Sequence, residues 1–95
     1  MQERYKAWKK EDMIKKIVLD VLKPQTPTIV EFAQAILKVK GVKGFEVTHV
    51  ELDRDVEKIK MIVTGNNLNF SKIKKVIEES GGVIHSIDGI LAEKD

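Results

Sequence analysis

The most constraining feature of this chain is the order in which its hydrophobic period changes. Ile17, Val18, Leu19, Val21 and Leu22 form a run rich in β-branched residues that Lys23-Pro24 stops. It is apolar on both faces, the pattern of a central strand, and only Asp20 interrupts it. Thr26-Pro27-Thr28 then reads as a helix start, with Thr26 at the cap and Pro27 in the first turn. Ile29, Phe32, Ala33, Ile36 and Leu37 recur at three and four, one apolar stripe that runs out at Gly41. From Gly44 to Asp53 the pairs Phe45/Val47 and Val50/Leu52 alternate, with the phase broken at Thr48-His49, so a bulge is expected there. Arg54-Asp55 forms a turn, and Lys58 to Gly65 alternates again through Ile59, Met61 and Val63 to complete a hairpin. Asn69 caps a second stripe of Phe70, Ile73, Val76 and Ile77, which Ser80-Gly81-Gly82 ends before a last strand from Val83 to Leu91.

Strand, helix, strand, strand, helix, strand is the split βαβ unit repeated once, the plan of a ferredoxin-like α+β two-layer sandwich. Right-handed crossovers give an antiparallel sheet of order 4-1-3-2 with both helices on one face. Ile17, Leu19, Val21, Ile59, Met61 and Val63 then face the helices, and Val18, Leu22 and Ile62 project from the bare side. Exposed apolar sheet marks an interaction surface, so a homo-oligomer is expected. The domain is assigned to residues 13–95, and residues 1–12 read as an N-terminal tail or short appended helix in which Trp8 wants something to pack on.

Composition removes whole classes. A chain of 95 residues has room for one core, and it buries only about 60–65% of its unfolded surface, a second reason to expect association. With 17 basic against 15 acidic residues the net charge is +2, too small to argue for a nucleic-acid or membrane partner. There is no cysteine, which excludes disulfides, thiolate-bound zinc and thiol nucleophiles. No apolar run approaches the roughly 20 residues of a membrane span, and the start MQERYKAWKKED lacks a signal-peptide core, so a cytoplasmic location is expected.

Several segments are familiar. VLDVLKP at 18–24, PTIVEFA at 27–33, VTHVELD at 47–53, GNNLNF at 65–70 and above all GGVIHSID at 81–88 together resemble an archaeal family catalogued as domain of unknown function 211. The resemblance spans about residues 14–91. It implies a ferredoxin-like fold and homo-oligomers, and it implies no particular activity.

Three sets of residues could carry chemistry. Asp20 interrupts the central strand, where an unpaired carboxylate is costly, and Asp88 lies in the neighbouring last strand with Ser86 and His85. If they share a face, Asp20, Asp88 and Ser86 offer oxygen ligands to calcium or magnesium; the competing reading is a local hydrogen bond or a lysine partner. His49, Glu51 and Asp53 fall at alternate positions and could also take a divalent metal. Matching Leu52 to Ile59, however, sets Glu51 opposite Lys60 as a plain cross-strand ion pair. Lys23, Gln25, Thr26 and Thr28 surround the first helix start, a position suited to an anion or small-molecule effector by analogy with ACT regulatory domains of the same fold. Capping alone explains the threonines. His85, if it shares a face with Val83, Ile87 and Leu91, is a partly buried structural histidine.

No GxSxG elbow or phosphate-binding glycine loop occurs, so nothing positive points to catalysis. The reading is a non-enzymatic, homo-oligomeric module binding a divalent cation or small effector in a regulatory role. The alternative is an enzyme or enzyme subunit whose metal-assisted site forms between protomers from Asp20, His85 and Asp88. RNA binding is disfavoured: the predicted strands offer only Phe45 for stacking, assigned to the core, and Lys72, Lys74 and Lys75 read as a solvated face.

Overall fold

The structure, a computed structural model, describes residues 12–94. The expected appendage over residues 1–12, with Trp8, therefore lies outside the described residues except for Asp12, which opens the first strand. Six elements follow in the expected order: β1 Asp12–Pro24, α1 Ile29–Leu37, β2 Val42–Asp53, β3 Val56–Gly65, α2 Phe70–Glu79 and β4 Val83–Lys94. The sheet runs β2-β3-β1-β4 and every pairing is antiparallel, the expected 4-1-3-2 order read from the other edge. The fold is ferredoxin-like α+β.

Alternation along the two central strands decides what is inside. Ile17, Leu19 and Val21 of β1 pair with Val63, Met61 and Ile59 of β3, and all six are buried. They meet Phe32 and Ile36 of α1 and Ile73 and Ile77 of α2 in a single core. At its edge Phe45 of β2 sets its ring edge-on against Phe32, centroids 5.9 Å apart.

The helix termini show how local chemistry sets boundaries. The cap of α1 is Thr28, not Thr26: its side chain accepts from the Glu31 N–H while the Glu31 carboxylate accepts the Thr28 N–H at 2.9 Å, a reciprocal capping box that Thr26 cannot form. Pro27 accordingly stands before the cap rather than in the first turn. The helix stops at Leu37, short of Gly41, although Val39 still tucks into the core. Asn69 caps α2 as expected, and α2 closes with Gly81 at φ 84°, its N–H bonding Glu78 O at 3.0 Å while Gly82 N–H bonds Ile77 O at 2.9 Å. Only glycine takes that left-handed turn without strain.

Lys23 continues the helix-facing set of β1 and is 1% exposed. Its ammonium donates to Pro24 O at 2.7 Å and to Glu57 Oε1 at 2.8 Å, so the buried charge is paired and hydrogen-bonded. That pair ties β3 to β1 below the hairpin turn, where Arg54 adopts φ 59°.

Candidate functional site

The uncovered face of the sheet is built in cross-strand rungs. One rung holds Glu46, Ile62, Val18 and Gly89, from β2 to β4; another holds Glu51, Lys58, Leu22 and Val83. Between them runs a fully polar rung: His49 faces Lys60, Lys60 faces Asp20, and Asp20 faces Ser86. Bulges make this possible. The register shifts by one between Val47 and His49, as the broken phase predicts, and Thr48 at that point lies 3.5 Å from Lys60 O. The shift turns His49 and Glu51 to the open side and leaves Val50 and Leu52 on the helix side.

Strand β4 carries two further shifts, with His85 the extra residue between Ile84 and Ser86, and Asp88 the extra residue between Ile87 and Gly89. They aim Ser86 and Asp88 at Asp20. The Ser86 hydroxyl donates its single proton to Asp88 Oδ1 at 2.8 Å and lies 3.3 Å from Asp20 Oδ2. Lys60 Nζ stands 3.2 Å from Asp88 Oδ2. Asp20, Ser86 and Asp88 are thus brought together as expected, and Lys60 joins them.

The electrostatics agree with this geometry. The hydrogen bond from Ser86 first, then that from Lys60, hold the Asp88 carboxyl below the usual aspartate range, and desolvation opposes them only in part. The hydrogen bond to Asp88, followed by the fields of Asp20 and Asp88, raises the Lys60 ammonium above the usual lysine value. Asp88 is therefore an anion and Lys60 a cation across the neutral range.

The second expected set is only partly gathered. His49, Glu51, Asp20, Lys58 and Lys60 line one concavity of about 200 Å³ on the open face. Asp53 does not line it; it closes β2 opposite Val56. His49 Nε2 is 3.9 Å from Glu51 Oε2 with both side chains well exposed, so any attraction is weak and needs a protonated imidazole. Glu51 faces Lys58 and not Lys60, because the bulge pairs Leu52 with Glu57 instead of Ile59. Among the described residues, no three His, Asp or Glu side chains gather into a group able to hold a metal ion.

The loop before α1 is spent on the fold. Lys23 is buried against Glu57, Gln25 donates to Arg54 O at 3.3 Å, and Thr28 caps its helix. The position an anion would take at the α1 N-terminus is held by the Glu31 carboxylate. His85 is exposed, and Val83, Ile87 and Leu91 form no common face for it to share: Val83 and Leu91 oppose Leu22 and Lys16 on the open side, while Ile87 opposes Leu19. The expected buried histidine is thereby corrected. Sequence reasoning missed Lys60 as the cross-strand neighbour of Asp20 and the ion-pair partner of Asp88. Aligning the apolar sets Ile17/Leu19/Val21 and Val63/Met61/Ile59 antiparallel was enough to find it.

No helix among the described residues is long and apolar enough to cross a membrane. A family profile described as "Uncharacterized ArCR", that of DUF211, matches residues 15–95. The chain is also similar to the "Uncharacterized protein MJ0319" of the archaeon Methanocaldococcus jannaschii, at 42% identity over 81 residues, covering 85% of this chain and 84% of that protein. The polar rung, the bulged outer strands and the two-helix cover described above are thus those of a member of the DUF211 family, to which this chain belongs.

Proposed function

We propose that this chain is a non-enzymatic, homo-oligomeric module in which a second copy covers the open sheet and the edge of β4. The observation that supports this most strongly is β4 itself. It is an outer strand 12 residues long, and Val83, Ile87, Ile90 and Leu91 are 61%, 50%, 54% and 41% exposed. A long apolar edge strand is a template for another chain, and half-buried Val18, Leu22 and Ile62 continue the apolar surface onto the open face. The charges of the polar rung then fix register, since sliding a partner along the sheet would bury Asp20 or Lys60 against aliphatic neighbours.

The same rung is the proposed place for a regulatory ligand, a divalent cation or a small effector. Asp20, Ser86 and Asp88 supply oxygens suited to calcium or magnesium, but Lys60 already supplies a positive charge there, so a metal must displace it. The enzyme alternative draws less support. The Ser86 proton is donated to the Asp88 carboxylate rather than offered to a histidine, and His85 is exposed on a bulge, so among the described residues the groups of an activated nucleophile are not assembled around Ser86.

Sedimentation velocity of the purified chain tests assembly: a discrete species heavier than the 10.8 kDa chain is expected, and a strict monomer at high concentration contradicts the proposal. Thermal melts with calcium, magnesium, zinc, amino acids and nucleotides test the ligand, because a native-state ligand must raise the midpoint. If none does, the regulatory reading fails and assembly alone remains.

A further inference from the structure

The helix layer carries a second concavity, away from the strands of the proposed assembly face. Lys38, at the end of α1, and Lys40 just beyond it face Lys72 and Lys75, which lie three apart on α2. Between them is a groove of about 400 Å³ floored by Ala35, Val39 and Val76, with Glu79 as its one acid. Among the described residues none of these four ammonium groups has a carboxylate partner. The chain as a whole is only +2, so four cations against one anion around one hollow is a local concentration of charge.

The groove opens at one end into a neighbouring hollow of about 250 Å³ that shares Lys40 and Lys72 and adds the polar side chains of Asn66, Asn67 and Asn69. Backbone geometry holds that end in place. Asn66 N–H donates to Gly41 O at 2.9 Å, and a Cβ on Gly65 would collide with the same carbonyl, so the loop lies directly against the chain leaving α1. The two helix starts also differ in sign. The first turn of α1 contains Glu31, whereas that of α2 contains no acid and does contain Lys72. The first turn of α2 thus supplies no negative charge to offset its positive end.

We infer that this interhelical groove binds a small phosphorylated molecule, a nucleoside polyphosphate in chemical class. The phosphates lie between Lys38 and Lys40, where the chain leaves α1, and Lys72 and Lys75 of α2, and the base or sugar rests on the floor of Ala35, Val39 and Val76. The concavity has the size of a small-ligand site, whereas a nucleic-acid strand needs a continuous basic track with stacking aromatics. Phe45, the aromatic of β2, is turned to the core against Phe32. This inference stands apart from self-association, because no residue lining the groove belongs to β4 or to the open face of the sheet.

Calorimetric titration of the full chain with magnesium-free ATP, inorganic tripolyphosphate, adenosine and a single-stranded oligonucleotide is the test. One saturable ATP site per chain is expected, with tripolyphosphate weaker and adenosine not binding. The double variant Lys40→Glu/Lys72→Glu should weaken ATP by at least about tenfold, through loss of two charge-assisted contacts, with its unliganded melting temperature retained. Lys74→Glu is on the same helix but outside the groove, and should change affinity by less than about threefold, the long-range share that salt screens. Equal losses in the two variants would reduce the effect to general charge and overturn the site. Tripolyphosphate binding as tightly as ATP overturns the nucleoside class, an oligonucleotide that outcompetes ATP per phosphate overturns the small-molecule reading, and no saturable binding overturns the whole inference.

Discussion

The two faces of one sheet are made by alternate residues of the same strands, yet they have different physical characters. On the helix side, Ile17, Leu19, Val21, Ile59, Met61 and Val63 are at most 1% exposed and share one apolar core with the helices. On the open side the same two strands present Val18, Asp20, Leu22, Lys60 and Ile62, partly covered by strand neighbours and by nothing above them among the described residues. The first face is a finished core whose content is volume. The second is an unfinished one whose content is pattern: aliphatic rungs on either side of a charged one. A core needs only matched shapes, whereas a surface that must select a partner and a register gains from charges that tolerate one alignment.

Perturbing the finished face should have the largest effect. Phe32→Ala removes a ring packed among Phe45 and the sheet and should cost about 3–5 kcal/mol in urea or thermal unfolding. The Lys23–Glu57 pair at the margin of the core should behave asymmetrically. Glu57→Leu leaves a buried ammonium with only the Pro24 carbonyl and should cost about 3 kcal/mol, whereas Lys23→Met, which removes the buried charge, should cost less than about 1 kcal/mol. Equal losses would show that the pair is held for its attraction and not for avoidance of an orphan charge.

The helix-facing set and the β2 bulge were legible because each rests on local period: Val47 and Val50 cannot share a face without an extra residue between them. Strand order was legible because crossover handedness fixes it once the elements are placed. The polar rung was legible only in halves. Asp20 declared itself as a carboxylate in an apolar run, but its cross-strand neighbour Lys60 is 40 residues away and emerges only when the apolar sets of β1 and β3 are laid antiparallel against each other. Residues 83–91 have no single phase to find, since inserted His85 and Asp88 each reset it. Thr26 and Thr28 look alike as caps, and Glu31 decides between them by reaching back to Thr28. The lysine groove was hidden for the same non-local reason: Lys72 and Lys75 read as a solvated face until α1 brings Lys38 and Lys40 across from them.

The smallest effects should come from titrating the open face. Asp88 is held below its usual value, so its contribution is present above the ordinary carboxylate pKa and is lost as pH falls through the lowered one. Lys60 is held above its usual value, so its contribution is complete below the ordinary lysine pKa and is lost as pH rises through the raised one. Stability measured against pH should therefore show a shallower acid limb in Asp88→Asn and a shallower alkaline limb in Lys60→Met. Unchanged limbs in both would mean that the rung contributes nothing to the isolated fold.

In the proposed assembly, copies meet at the open face and the β4 edge. The direct test is sedimentation equilibrium of the wild-type chain beside Val83→Lys/Leu91→Glu, two positions already exposed in the monomer, the second facing Lys16. A defined oligomer is expected for the wild type and a folded monomer with an unchanged circular dichroism spectrum for the variant. A wild-type monomer, or a variant that assembles as the wild type does, would contradict the proposed assembly.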